Sequence, residues 1–200
     1  MLQFQHLLTV FLLVTPILTQ DPDLEQAPYN VVEAKSTYEV RDYPARKWVS
    51  TYNYAMNIHD GEESSVSFHR LFDYIDGNNM EETKIDMTSP VTIFIKPGAG
   101  PNCESEFTMS FYIPEIYQEA PISPKSDDVY IEERDEFRIV ASQFSGFATS
   151  EDYIKAAATL YEQATADGYN LMADTYYTAG YDGPYTIVNR RNEVWFKVRA

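Results

Sequence analysis

Residues 39–50 read Glu-Val-Arg-Asp-Tyr-Pro-Ala-Arg-Lys-Trp-Val-Ser, and residues 130–141 read Tyr-Ile-Glu-Glu-Arg-Asp-Glu-Phe-Arg-Ile-Val-Ala. Four positions match in character between the two stretches, and the members of each pair are 91 residues apart. The pairs are Val40 with Ile131, Lys47 with Arg138, Trp48 with Ile139 and Val49 with Val140. Because several matches share one offset, we predict an internal duplication with repeats over residues 38–95 and 130–198. Two similar β–α units that arose by coincidence are the alternative.

A helix pattern follows each stretch. Over residues 64–76 the apolar side chains recur at i, i+3, i+4 and i+7, which predicts a helix with one apolar face. That face consists of Phe68, Leu71, Phe72 and Ile75. Gly77 and Gly168 are again 91 residues apart, and each is predicted to end its helix because glycine accepts a positive φ.

The second helix is predicted over residues 151–167. Its apolar face is expected to consist of Ile154, Ala157, Ala158 and Tyr161. Thr149 with Asp152 resembles a capping box in which Asp stands in place of Glu. The small side chains on this helix indicate that it lies close against a sheet.

Strands are predicted where β-branched and aromatic residues alternate with polar ones. They cover residues 91–95, 107–113, 137–142, 186–188 and 194–198. Each half is expected to close on a strand led by proline, at Pro90 and at Pro184, and residues 189–192 are predicted to form a hairpin loop. The whole pattern predicts an α+β fold, a duplicated and distorted β-barrel. It would be a twisted antiparallel sheet of about eight strands flanked by two helices.

The amino-terminal residues set the expected location. Residues 7–18 are apolar without a charge, which is the length of a signal-peptide core and too short to span a bilayer. We therefore expect residues 1–20 to be a signal peptide, residues 21–200 to be a single domain, and the protein to be secreted and extracellular. A retained membrane anchor is the alternative, and no later stretch is apolar for long enough to span a membrane.

Composition narrows the possible partners. The formal net charge of −16 repels phosphate backbones and disfavours nucleic-acid binding. It would tolerate a basic partner, an extracellular matrix or a mineral surface. Cys103 is the only cysteine, so no internal disulfide can form. We expect it either to be buried as a small apolar side chain or to be a free thiol that can pair between two chains.

The sequence lacks the motifs of common enzymes. It contains no nucleophile elbow, phosphate-binding glycine loop or dinucleotide fingerprint. Only His59 and His69 remain after residue 20, so a three-histidine zinc site is impossible. We predict a protein that is not an enzyme.

Several blocks resemble the SOUL/haem-binding protein family. They are residues 38–41 with 47–51, residues 84–92 with the run Met-Thr-Ser-Pro-Val, residues 176–181, and residues 190–195. The four blocks stand in the family's order, and the resemblance extends over about residues 38 to 198. The resemblance implies a duplicated barrel with two helices, and binding of haem or a related porphyrin without catalysis.

The resemblance also implies where to look for a site. Some members are thought to use a histidine after the Tyr-Glu-x-Arg motif as an axial haem ligand, and here that position is Asp42. Others hold the haem propionates with basic residues near the first helix, where this chain offers mainly Arg70. The expected groove beside that helix is lined by Phe68, Leu71, Phe72 and Ile75. His69 is the candidate iron ligand, and Met80 is the alternative.

Two functions follow from these observations. The first is a secreted, non-enzymatic tetrapyrrole-binding protein of the SOUL type. The second is a secreted structural or matrix interaction protein on the same scaffold that has lost haem ligation. Asp42 and the acidic first helix favour the second function, and the near-complete set of family blocks favours the first.

Overall fold

A computed structural model describes residues 24–59, 61–100, 103–183 and 186–199. The predicted signal peptide lies outside these residues. The strands are β1 (Glu25–Gln26), β2 (Asn30–Ala34), β3 (Glu39–Tyr43), β4 (Arg46–Ala55), β5 (Thr88–Ser89), β6 (Val91–Lys96), β7 (Ser105–Tyr112), β8 (Tyr130–Arg134), β9 (Phe137–Phe144), β10 (Tyr176–Gly180) and β11 (Asn192–Lys197). The helices are α1 (Glu62–Ile75) and α2 (Ser150–Ala166), and a 3-10 turn covers Glu115–Tyr117.

Nine strands form one antiparallel sheet in the order β2-β3-β9-β11-β10-β6-β7-β4-β8. The predicted α+β class with a large antiparallel sheet and two helices is confirmed. Within the described residues the sheet does not close into a barrel, and β2 and β8 are its edges. A two-stranded parallel sheet joins β1 to β5.

The order of elements is the same in two parts of the chain. The first part contains two strands (β3 and β4), the helix α1 and two further strands (β6 and β7), if the short β5 is left aside. The second part has the same order, with β8 and β9, the helix α2, and then β10 and β11. The parts interlock, because β3 pairs with β9, β4 pairs with β8, and β6 pairs with β10 at the centre of the sheet. Each part therefore completes the sheet of the other.

The two faces of the sheet carry different cores. Side chains alternate along a strand, so Val49 lies in the core beneath α1 while its neighbour Trp48 lies on the opposite face. In the same way Val140 packs beneath α2 and Ile139 lies on the opposite face. We call the face without helices the aromatic face, because Tyr43, Trp48, Tyr112, Tyr177 and Trp195 are buried there.

Both helices bury a face that is shifted from the predicted one. On α1, Leu71 and Ile75 are buried as expected, but Phe72 is 42% exposed and the buried face includes Ser64, Ser67 and Tyr74 instead. On α2, Ala157 is buried as expected and Tyr161 packs against the core, but Ile154 is 60% exposed and Ala158 is also exposed. The buried side chains of α2 are Tyr153, Ala157, Leu160 and Ala164. The spacing rule found each helix and misplaced its inner face.

Two local predictions at the carboxyl end of the chain are wrong. Residues 186–188 are not a strand, because this segment curls around Arg190, whose guanidinium donates hydrogen bonds to the carbonyl oxygens of Gly183 and Thr186. The strand of the second half that pairs with β6 is β10. Residues 189–191 consequently belong to a longer loop between β10 and β11, and Asn192 begins β11.

Other local predictions are confirmed or corrected. The capping box of Thr149 and Asp152 is present at the start of α2. Gly77 and Gly168 follow the two helices with φ of +110° and +93°, as predicted for helix ends. Of the two alternatives for Cys103, burial is wrong, because Cys103 is an exposed free thiol.

Candidate functional site

Three rings meet on the outer surface of α1. Phe68 packs against the core and also stacks on Phe72, with ring centroids 6.1 Å apart. His69 meets the edge of Phe68 with a centroid distance of 6.2 Å. We call Phe68, His69 and Phe72 the α1 ring cluster. Because His69 and Phe72 are exposed, the cluster presents an imidazole and a benzyl ring to solvent on one helix surface.

The imidazole of His69 has a defined orientation. Its Nδ1 lies 2.7 Å from the carbonyl oxygen of Ser65, one helical turn earlier. A carbonyl oxygen can only accept a hydrogen bond, so Nδ1 is the donor. In the neutral ring the lone pair is therefore on Nε2, the nitrogen through which histidines with such a partner commonly bind a metal.

The charges around the α1 ring cluster are mostly negative. Glu62 and Glu63 occupy the first turn of α1, and the last turn carries no basic residue. Arg70 is the cation of this helix, and its guanidinium lies 3.6 Å from the carboxylate of Asp128. An anionic group placed here would therefore have the Arg70 guanidinium as its cationic partner on α1, and that guanidinium is already paired with Asp128.

The remaining predicted groove residues on α1 are part of the core. Leu71 is 0% exposed and Ile75 is 7% exposed. Both pack in the cluster beneath α1 with residues of β4 and β7. They support the helix from below, so a ligand on the outer surface of α1 would not touch them.

Asp42 lies in a different part of the molecule. It is on β3 directly opposite Arg138 of β9, whose Nε and Nη2 donate to the two carboxylate oxygens at 2.7 and 2.8 Å. These hydrogen bonds lower the pKa of Asp42. Asp42 and the α1 ring cluster are thus not brought together, since β11, β10 and β6 separate β9 from the strand β7 beneath α1.

A cavity of about 680 Å³ adjoins Asp42. Its walls include Pro44, Phe137 and Val198 as apolar groups and Arg138 and Arg199 as cations. The sequence points to Asp42 as a site residue but to none of these five wall residues. The one sequence feature that marks any of these residues is the match of Arg138 with Lys47 between the repeats, and this match does not indicate a cavity.

The family profile of the SOUL heme-binding protein matches residues 24–197. The chain belongs to this family. Among relatives of known name, human Heme-binding protein 2 is 39% identical over 170 residues, which cover 85% of this chain and 82% of the relative. Heme-binding protein 1 of Xenopus tropicalis is 33% identical over 159 residues, with coverage of 80% and 82%.

Some solved structures share the fold of this chain. The C-terminal domain of EcmrR superposes with a TM-score of 0.60 at 10% identity, covering 86% of this chain and 98% of that domain. A hydrolase from Listeria innocua gives a TM-score of 0.57 at 12% identity, with coverage of 84% and 94%. At such identities the likeness establishes the fold alone.

The family motif Tyr-Glu-x-Arg has a structural role in this SOUL domain. Arg41 is 4% exposed and donates from Nη1 to Glu193 at 2.8 Å and from Nη2 at 3.2 Å. Glu193 is 0% exposed and also accepts from Arg191, Trp195 and Tyr181. This buried network ties β3 to β11 on the aromatic face.

No group of three or more His, Cys, Asp and Glu side chains among the described residues is arranged to hold a metal ion. No helix within the described ranges is long and apolar enough to cross a membrane.

Proposed function

We propose that this SOUL domain binds haem or a related tetrapyrrole on the outer surface of α1, with His69 as the axial ligand of the iron. Membership of the family over residues 24–197 supports a tetrapyrrole as ligand. The names of the relatives that match most of the chain point to the same ligand class.

The orientation of His69 is the observation that carries the proposal. The hydrogen bond to Ser65 leaves Nε2 to the ligand, and the exposed ring of Phe72 lies on the same surface. Bound haem would supply an iron that takes an imidazole nitrogen and a flat apolar ring that packs on phenylalanine. The donor set of the α1 ring cluster fits both requirements.

The charges on α1 tune this binding. Arg70 is the group that would pair with a haem propionate, and its ion pair with Asp128 weakens its attraction for that propionate. The acids Glu62 and Glu63 oppose a second carboxylate nearby. Affinity for haemin is therefore expected to rise with ionic strength, because salt screens the net repulsion between exposed charges.

The test is a titration of the purified protein with haemin, followed at the Soret band. One equivalent should give a saturable shift that is lost in His69→Ala and weakened in Phe72→Ala. His59→Ala is the matched control, since His59 stacks on Tyr153 at 4.0 Å, away from the α1 ring cluster. Protoporphyrin without iron should still bind to His69→Ala, because only the iron contact is removed.

Two results would contradict the proposal. One is an unshifted Soret band with the wild-type protein at any haemin concentration. The other is a shift that survives His69→Ala unchanged and disappears when Asp42 is replaced, which would move the site to β3.

A second candidate is a structural or interaction protein that no longer ligates haem. The bidentate ion pair with Arg138 favours it, because it occupies the carboxylate at the family's proposed ligand position. The formal net charge of −16 suits a basic partner, matrix or mineral surface. Salt-sensitive retention on a polylysine surface, together with no haemin shift, would support this function over the first.

We also propose that the protein is exported and acts outside the cell by binding rather than catalysis. The apolar run of residues 7–18 supports export. Expression of the full chain in a secretory host should release a protein whose new amino terminus is Asp21. Retention of the uncleaved chain in the membrane fraction would contradict export and favour an anchor.

A further inference from the structure

The cavity at Asp42 has a counterpart in the other half of the molecule. A cavity of about 330 Å³ is lined by Lys47 and Glu133, among other residues. Glu133 and Lys47 lie 91 positions from Asp42 and Arg138, at the offset that relates the two repeats. Each cavity therefore opens beside the same cross-strand pair of an acid and a base, β3 with β9 in one case and β8 with β4 in the other.

The counterpart is partly filled by the chain itself. The side-chain amide of Gln118 accepts a hydrogen bond from the backbone N–H of Lys47 at 2.8 Å and donates to its carbonyl oxygen at 2.9 Å. The Lys47 ammonium donates to the carbonyl oxygen of Glu119 at 3.3 Å. The segment after the 3-10 turn thus occupies part of this cavity.

The Asp42 cavity has about twice the volume and a different rim. Its rim includes Asn30 of β2 and Val198 and Arg199 near the carboxyl terminus. No described residue inserts into it in the manner of Gln118. A volume of this size suits a small organic molecule.

The walls of the Asp42 cavity specify an amphipathic acid. Pro44, Phe137 and Val198 supply apolar contact. Arg138 already holds one carboxylate in a bidentate pair, which shows that its fork is presented in the geometry that carboxylates take. Arg199 is half-exposed, its Nη2 lies 4.0 Å from the carboxylate of Asp174, and its Nε donates to the carbonyl oxygen of Leu171 at 3.2 Å.

We propose that the Asp42 cavity is a second ligand site, separate from the α1 ring cluster, that binds a small apolar molecule bearing one carboxylate. The carboxylate pairs with Arg138 and Arg199, and the apolar body packs on Phe137 and Val198. Asp42 is then a built-in competitor, since it occupies the Arg138 fork that the ligand needs. Glu136, which also lines the cavity, adds to the repulsion of the ligand.

The test uses pyrenebutyrate, a flat apolar ring system with a single carboxylate, and follows its fluorescence anisotropy. Binding should saturate at one equivalent. Asp42→Asn should tighten it about tenfold and Arg138→Gln should weaken it about tenfold, since an added or lost charge-assisted hydrogen bond changes affinity on this scale. The methyl ester of pyrenebutyrate should bind no better to Asp42→Asn than to the wild type.

The duplication provides matched controls. Glu133→Gln and Lys47→Gln make the same changes at the smaller, partly occupied cavity and should leave the affinity unchanged. The Asp42–Arg138 pair is about half-exposed, so its variants are expected to fold, and Arg138→Lys keeps the charge while removing the fork. Arg138→Lys should bind more weakly than the wild type and more tightly than Arg138→Gln.

Three outcomes would overturn the proposal. They are the absence of saturable binding to Asp42→Asn, an equal gain in Glu133→Gln, and equal binding of the methyl ester. His69→Ala should leave pyrenebutyrate binding intact, so this result is independent of the outcome with haemin.

Discussion

At the scale of single residues, Glu193 decides the integrity of the aromatic face. Replacing it with glutamine keeps its size but leaves Arg41 buried, with Glu39 as its remaining carboxylate partner. Breaking a buried ion pair on one side costs about 3–5 kcal/mol. Glu193→Gln is therefore expected to lower the free energy of unfolding by about that amount in urea denaturation, with an unchanged m-value.

The matched control at the same arginine is Glu39→Gln. The Glu39 side chain is 37% exposed and bonds Arg41 through Nε at 2.8 Å. A partly exposed pair contributes less than about 1 kcal/mol. If both variants lowered the free energy of unfolding by the same amount, the burial of Glu193 would not explain the loss of stability in Glu193→Gln.

The same carboxylate makes stability depend on pH. Burial raises the pKa of Glu193, but the hydrogen bond and charge of Arg41 and the charge of Arg191 outweigh it, so the folded-state pKa lies below the ordinary value. Its contribution is then complete above the ordinary carboxyl pKa and is lost as pH falls through the folded value. The difference in unfolding free energy between the wild type and Glu193→Gln should therefore shrink on acidification, and a constant difference between pH 7 and pH 3 would contradict this.

At the scale of elements, α1 begins without a side-chain cap. Gly61 is its N-cap and makes no side-chain cap, so Gly61→Ser should stabilise the helix by the general rule. A Cβ at this position, however, would lie 2.5 Å from the carbonyl oxygen of Asn57. We expect Gly61→Ser to lower the melting temperature, whereas Thr149→Ala at the satisfied cap of α2 should cost about 1 kcal/mol. A rise in melting temperature for Gly61→Ser would contradict the close approach.

The two helices also show how far the sequence predicts the elements. Glycine ends, the capping box and the strand alternation of β11 follow from local chemistry, and they were predicted correctly. The buried faces of the helices are predicted only in part, because α1 also buries two serines that a hydrophobic pattern ignores. Ser64 donates to the carbonyl oxygen of Ile58, and Ser67 lies within hydrogen-bond distance of Asn53. Phe72, which the pattern places on the buried face, is exposed and belongs to the α1 ring cluster.

The sequence indicates only part of the candidate site. It shows that α1 carries one imidazole, that of His69, whose orientation depends on a carbonyl oxygen one turn earlier that any helix offers. The partner of Asp42 and the cavity beside it required the pairing of β3 with β9. Strands that are almost a hundred residues apart in the sequence reveal no such register locally.

At the scale of the whole molecule, the two halves share one sheet and the core on its aromatic face. Trp48 and Tyr112 of the first half pack on the aromatic face with Ile139, Tyr177 and Trp195 of the second. Neither half can bury these rings alone, and β3 and β8 would each lose the partner strand supplied by the other half. The interlocked pairing therefore predicts one cooperative folding unit rather than two.

Fragments cut between the exposed residues Asp127 and Asp128 test this unit directly. Residues 24–127 and 128–199 should each lack a cooperative transition, because unpaired strands and exposed aromatic rings leave too little buried area to offset chain entropy. Mixed at equal concentration, they should recover one transition whose midpoint depends on concentration, since the three strand pairings between the halves become intermolecular. A native-like transition in either fragment alone would show that one repeat folds independently and that the other only docks on it.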